Sequence, residues 1–253
     1  MARRSDRPIA RPLIGAHRGD SAHWPENTLA AFRGAIAAGA DFIETDLRLT
    51  RDGVPIAFHD ADFARLGGDA RQVADATLAE ARALHPSLAT IAEAVGAVLP
   101  HALLLLDVKL TAPDELIAMA EHLERLAAGG RVALGLRGPE AVDTLHGRLR
   151  GWPRLGLFAD PADYARLAAQ GGAWARLWQA DASPARIAEI RALGLNVVVM
   201  TGNPITQTVG AIDPAALAAL VARAPQAVML NDPGLAAAAI GAAILVPSSY
   251  QEP

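Results

Sequence analysis

The sequence predicts an α/β fold, a (β/α)8 TIM barrel, on three observations. Eight short apolar runs alternate with segments of helical period, and the runs are bounded by Gly, Pro, Asp or Asn. The pattern fills 253 residues, about the length that eight strand–helix units require. A doubly wound parallel sheet is the alternative. The chain is read as one domain over 1–253, with 1–11 as a flexible tail.

The strands in chain order are 12–16, 42–46, 103–108, 132–135, 155–158, 175–178, 197–200 and 227–230. A helix over 28–38 follows the first strand, with Leu29, Phe32 and Ile36 on one face, and a helix over 90–98 precedes the third. The remaining helices, 113–126, 139–149, 161–169, 184–193, 214–224 and 233–243, all open on proline. In the first helical turn its missing N–H costs nothing. One segment breaks the alternation: 42–50 and 54–59 are joined by Arg51-Asp52-Gly53, a turn too short for a parallel crossover. The second strand therefore projects from the barrel mouth and doubles back as a β-hairpin, with only a short insertion after it.

Composition narrows the chemistry. Hydrophobic residues make up 52% and charged residues 20%, which excludes disorder for most of the chain. The net charge of −4 and the lack of a basic block beyond Arg3, Arg4, Arg7 and Arg11 argue against nucleic acid as a partner. Without cysteine there is no disulfide framework or thiolate nucleophile, and any metal must be held by carboxylate or imidazole. Pro8 and Pro12 interrupt what would be the apolar part of a secretory signal, so the expected location is cytoplasmic. The longest uncharged run, 192–212, contains Asn196, Thr201, Asn203, Pro204, Thr206 and Gln207. The alanine-rich 235–246 falls short of the roughly 20 residues a membrane span needs.

Ionisable residues gather where barrel strands end. Glu44 and Asp46 share one face of their strand, and a turn centred near Asp52 returns His59 to roughly the level of Glu44. His17 ends the first strand, and Asp107 and Lys109 end the third. A single acidic residue at such a place is usually a solvated rim residue. Three inward carboxylates, Glu44, Asp46 and Asp107, would instead repel and desolvate one another unless a cation neutralised them. An oxygen-only set suits a hard divalent ion, Mg²⁺ or Ca²⁺. His17 and His59 supply a base and an acid near neutral pH, and Arg18 and Lys109 could hold a phosphate. Together these groups specify phosphoryl-ester chemistry.

The run Ala16-His17-Arg18-Gly19, then Pro25-Glu26-Asn27-Thr28, Ala31-Phe32, Gly39-Ala40-Asp41, Ile43-Glu44-Thr45-Asp46, Thr50-Arg51-Asp52-Gly53 and His59-Asp60 resembles the glycerophosphodiester phosphodiesterase family, of the phospholipase C-like phosphodiesterases. Looser echoes continue at Asp107-Val108-Lys109, Thr201-Gly202-Asn203 and Asp232-Pro233. The resemblance implies a barrel enzyme of lipid and glycerol metabolism. Such an enzyme hydrolyses glycerophosphodiesters to sn-glycerol 3-phosphate and an alcohol with a divalent metal. It implies His17 and His59 as the acid–base pair, Glu44 and Asp46 as metal ligands with Asp107 as a third, Arg18 as a phosphate contact and Lys109 beside the phosphate. The attacking oxygen is either water or the substrate's own glycerol hydroxyl, and which histidine begins as the base stays open.

This chain departs from the family pattern at three places. Asp107 stands where the family has Glu, one methylene longer, which leaves direct or water-mediated ligation open. Met200 replaces a tryptophan, and the insertion after His59-Asp60 is trimmed to a short link containing Phe63, Arg65 and Gly68. These changes motivate two alternatives: another lipid-derived diester such as a lysophospholipid, or a non-catalytic phosphate-binding barrel. Asn27 and Thr28 are read as caps of the first helix, with Glu26 placed to orient Arg18. Trp24 could line the mouth, while Trp152, Trp174 and Trp178 are read as packing. His23, His85, His101, His122 and His146 are given no function. The apolar last helix packs on the barrel, with a homodimer as a further use of its face.

Overall fold

The computed structural model of the chain describes residues 11–245 except 127 and 161. The expected tail therefore lies outside the described residues save for Arg11, as does Pro161, the expected start of one helix. In chain order the elements are β1 (Leu13–Ala16), α1 (Leu29–Ala37), β2 (Phe42–Leu49), β3 (Pro55–Ala57), β4 (Asp62–Phe63), α2 (Ala64–Gly67), β5 (Asp69–Gln72), α3 (Leu78–Leu84) and α4 (Ile91–Val98). They continue with β6 (Leu103–Val108), α5 (Pro113–Glu124), β7 (Val132–Leu136), α6 (Pro139–Thr144), β8 (Arg154–Gly156), α7 (Ala162–Ala169), β9 (Trp174–Trp178), α8 (Pro184–Ala192), β10 (Asn196–Met200), α9 (Pro214–Val221), β11 (Ala227–Leu230) and α10 (Pro233–Leu245).

Eight of these strands close a parallel barrel in the order β1-β2-β6-β7-β8-β9-β10-β11. Closure is made at β1, where Leu13 pairs with Ala227 of β11 and Gly15 with Phe42 of β2. Side chains alternate along each strand, so every strand feeds two cores. Ile43, Leu104, Leu106, Leu134, Ala175, Leu177, Val197, Val199 and Val228 point outward and pack beneath the helices against Phe32, Leu116, Met119, Ile187, Leu217 and Ile240. Leu13, Phe42, Leu105, Leu155, Trp174, Val198 and Ala227 alternate with them and fill the barrel interior. The Phe42 ring lies over Gly15, where a Cβ would stand 2.2 Å from its Cζ, so the aromatic floor requires glycine at 15. α10 packs on this barrel from outside, with Ala236 and Ile240 buried in the outer core.

β3 runs antiparallel to β2, with Leu47 opposite Ala57 and Leu49 opposite Pro55. This register brings His59 level with Thr45, one residue from the level of Glu44. The short segment that follows has more structure than its sequence suggested. β4 and β5 pair across α2, and a Thr77–Glu80 capping box starts α3. A satellite core of Ile56, Phe58, Phe63, Val73, Ala81 and Leu88 fixes this segment beside the mouth, with the Phe58 and Phe63 rings 5.0 Å apart. Among the described residues no helix is long and apolar enough to cross a membrane.

Because Phe63 is fully buried in that small core, Phe63→Ala is expected to lower stability by about 3 kcal/mol, the lower part of the range for aromatic truncation. Denaturant unfolding checks this. A change below about 1 kcal/mol would mean that the satellite core does not hold the segment.

Candidate active site

Asp46 stands at the centre of the charged mouth. It is 1% exposed and accepts from Lys109 Nζ at 2.8 Å, with Arg18 Nε 3.3 Å away. Asn27 Nδ2 donates to it at 2.8 Å, while Asn27 Oδ1 accepts from the Thr45 hydroxyl at 2.7 Å and from the Asp46 backbone N–H. Burial alone would push the Asp46 carboxyl up, but Lys109, Arg18 and His59 outweigh it and hold the group well below the ordinary carboxylate range. Asn27 is thus no helix cap. Thr28 caps α1 by accepting from Ala31 N–H, and Asn27 is committed to Asp46.

Arg18 and Asn27 both occupy the left-handed region, at φ 57° and 58°, and Asn27 N–H donates to the Arg18 carbonyl. Asn tolerates this conformation and Arg does so at a cost, a form of strain that gathers at functional sites. The bend turns the Arg18 backbone N–H onto Glu44 Oε2 at 2.8 Å. Its guanidinium reaches Glu26 at 3.0 Å, as the sequence reading placed it. Glu26 is shared with Arg65 of α2, which also grips Asp60 at 2.6 Å. The trimmed segment after β3 is therefore wired to the mouth by one arginine.

The two histidines present the same nitrogen to the same space. His17 Nδ1 lies 2.8 Å from Asn231 Oδ1. Asn231 Nδ2 donates to the Val209 carbonyl at 3.0 Å, which fixes the amide orientation and leaves its oxygen to accept from His17 Nδ1–H. His59 Nδ1–H donates to Asp60 Oδ1 at 2.7 Å. Each ring is left with Nε2 unpaired among the described residues, and both rings line two adjoining cavities. One, of about 240 Å³, opens into the barrel among Glu44, Asp107, Lys109, Arg137, Trp178 and Met200. The other, of about 610 Å³, runs toward Glu26, Asp60 and Arg65. Burial, helped by the Arg18 charge, pushes His17 down to about 4. His59 is also lowered by burial, but the Asp46 charge and the Asp60 hydrogen bond oppose the shift.

All seven residues singled out for the site, His17, Arg18, Glu44, Asp46, His59, Asp107 and Lys109, come together here. Asp107 is bound by Lys109 Nζ at 2.6 Å and by the Arg137 guanidinium. Arg137, Asn231, Asp60, Arg65 and Arg176 were not foreseen in the site. A two-residue count from Met229 reaches Asn231, and the Arg65-to-His59 spacing was visible. Arg137 carried no signal beyond its place just past a strand end. Trp178 faces the interior cavity beside Met200, its partner in the strand register. The aromatic wall missing at 200 is thus supplied one strand over. Trp24 does not line these cavities; its ring covers Gly34 of α1. His23 pairs with Asp20 at 2.8 Å.

The carboxylates fit a cation. One oxygen from each of Glu44, Asp46 and Asp107 lies within 4.8 Å of the others. Glu44 is 2% exposed and accepts a backbone N–H but has no side-chain cation among the described residues. Burial, then Asp46 and Asp107, pushes its carboxyl well above the ordinary range. An all-oxygen set with one uncompensated buried carboxylate is what a hard divalent ion neutralises.

Comparison with known proteins finds one family. Residues 17–140 match the model of the glycerophosphoryl diester phosphodiesterase family. The chain is 34% identical over 140 residues to an uncharacterised protein of Mycobacterium tuberculosis, covering 47% of this chain and 46% of that one. It is 47% identical over 72 residues to a glycerophosphodiester phosphodiesterase of Caldanaerobacter subterraneus, covering 28% of this chain and 30% of that one. The chain thus spans less than half the length of these curated relatives. Among solved structures, a glycerophosphodiester phosphodiesterase of Thermotoga maritima superposes with a TM-score of 0.73 at 23% identity, covering 90% of this chain and 97% of that one. An Oleispira antarctica phosphodiesterase in complex with the product sn-glycerol-3-phosphate gives 0.76 at 23% identity, covering 91% and 97%. These likenesses show the barrel fold.

Two outcomes follow from the His17 support. Gly210, at φ 82°, leaves no room for a Cβ, which would stand 1.9 Å from Asn231 Oδ1. Gly210→Ala is expected to displace Asn231 and reduce turnover at least tenfold with the barrel folded, as read by kinetics and circular dichroism. His17 titrates at an ordinary 6.5 when unfolded and at about 4 when folded. Its stabilising contribution is whole above pH 6.5 and is lost as pH falls from 6.5 toward 4. With chelator present, the melting midpoint should fall across that window, and His17→Ala should flatten the slope; parallel slopes would refute the shift.

Proposed function

We propose that this chain, which carries a domain of the glycerophosphoryl diester phosphodiesterase family over residues 17–140, hydrolyses glycerophosphodiesters to sn-glycerol 3-phosphate and an alcohol. The observation that carries the reading is the pair of imidazoles that line one cavity with Glu44, Asp107, Arg18 and Lys109, with Asp46 grouped beside those two carboxylates.

Arg18 and Lys109 hold the diester phosphate. The Arg18 Nε is buried without a hydrogen-bond partner, although Asp46 is close, and a phosphate oxygen would satisfy it. His17, kept neutral by burial, takes the proton of the attacking oxygen at Nε2. His59 gives its Nε2 proton to the departing alkoxide, and Asp60 stabilises the imidazolium beforehand. Thus an oxygen–phosphorus bond forms as the alcohol's oxygen–phosphorus bond breaks, with one proton taken and one returned. When the attacker is the glycerol hydroxyl, the product is a cyclic phosphate, and water opens it with the histidines in exchanged roles. Glu44, Asp46 and Asp107 would hold a divalent cation, Mg²⁺ or Ca²⁺, which when bound offsets their charge and polarises the phosphoryl group.

The relative solved with sn-glycerol-3-phosphate supports the product assigned here. The test is release of glycerol 3-phosphate from glycerophosphoethanolamine and glycerophosphoglycerol with Mg²⁺, Ca²⁺ or Mn²⁺ and a chelator control. Metal-dependent release is expected, with His17→Ala and His59→Ala each reducing kcat by 10²- to 10⁴-fold. Folded protein without release under any metal would favour a phosphate-binding barrel, and wild-type turnover in either variant would overturn the acid–base assignment.

A further inference from the structure

Arg176 is a charged residue of the barrel interior that the reaction above does not use. It lies on β9 between Trp174 and Trp178, which both pack in the interior cluster, so its side chain also points inward. β9 is four strands from β2 in either direction around the barrel, placing Arg176 across the lumen from Glu44 and Asp46. It lines the same cavity as these groups' neighbours Asp107, Lys109 and Arg137.

The other cations of the cavity are spoken for. Arg18 pairs with Glu26 and Asp46, Lys109 with Asp46 and Asp107, and Arg137 with Asp107. Arg176 has no ion pair among the described residues. Its guanidinium lies 4.1 Å over the Trp178 ring. Asp107 and Asp181 act on it only through their fields, and burial lowers it from its ordinary value. A cation–π contact leaves the guanidinium N–H edge free, and that planar fork matches a carboxylate or phosphate. An uncompensated charge inside a barrel is costly, and an anion reaching this fork would offset it.

We propose that Arg176 is a second anion-binding point. The diesters it selects carry, besides the phosphodiester, a further anionic group, carboxylate or phosphate, on an organic arm. This inference rests on the reading of the cavity as a phosphodiester site. A quaternary or primary ammonium arm would instead meet a desolvated guanidinium and be disfavoured.

Glycerophosphoethanolamine and glycerophosphoserine differ by one carboxylate, and a glycerophosphoinositol phosphate supplies the phosphate arm. Calorimetry in chelator, which suppresses turnover, is expected to show the two anionic-arm ligands binding at least tenfold tighter than glycerophosphoethanolamine. Arg176→Gln and Arg176→Met should collapse that ratio to about one. Met can pack against Trp178, Met200 and Met229, so Arg176→Met should melt no lower than the wild type; a lower melting point would mark Arg176 as structural and overturn the proposal. Equal affinities in the wild type, a ratio that survives substitution, or no binding of any ligand to folded protein would each overturn it too. Metal-dependent hydrolysis with equal affinities leaves the phosphodiesterase standing alone. A carboxylate-dependent ratio without hydrolysis keeps the anion site and removes the enzyme.

Discussion

A carboxylate charge sealed inside protein has to be offset, and Asp46 is that charge here. It draws Lys109 from β6 and Arg18 from the loop after β1, and it claims Asn27. Each of those demands shapes something else. Asn27 must turn left-handed to reach Asp46, Arg18 turns with it, and the same turn gives Glu44 its backbone donor. The strand that carries Asp46 then folds back and delivers His59. The mouth is consequently built around a buried anion, and the nearby histidines, lowered first by burial, are further tuned by that anion and the cations gathered to balance it.

The barrel itself was legible because a strand buried on both faces reads as an apolar run closed by Gly, Pro or a polar residue, and all eight runs did so. The boundaries were less so. The run expected over 155–158 pairs only as Arg154–Gly156, since past Gly156 the chain leaves the ladder. The hairpin was legible from a connection too short for anything else. The Thr77–Glu80 capping box is written in the sequence too, as Thr-x-x-Glu ahead of an apolar residue.

The site divides along the same line. Residues near one another in the chain, from His17 to His59, could be assembled from strand period and a turn. Arg176 could only in part: the strand period puts it on the face of Trp174 and Trp178, but nothing local shows that this face meets the charged mouth, four strands away. Arg65 is similar: its grip on Glu26 and Asp60 depends on a small aromatic core that brings α2 back to the mouth.

The order of strands around the barrel also separates two kinds of change. His17, His59, the carboxylates, Arg18 and Lys109 come from β1, β2, β6 and their loops, while Arg176, Trp178, Met200 and Met229 on the remaining strands, with Leu157 just past β8, make the opposite wall. A parallel ladder is held by backbone hydrogen bonds that are indifferent to which side chain points inward. The inward side chains of that wall can therefore change without loosening the ladder, except at Asn231 just past β11, which holds His17. The lining of the cavity on that arc is thus adjustable apart from the charged mouth, two surfaces of one cylinder that share a space and little else.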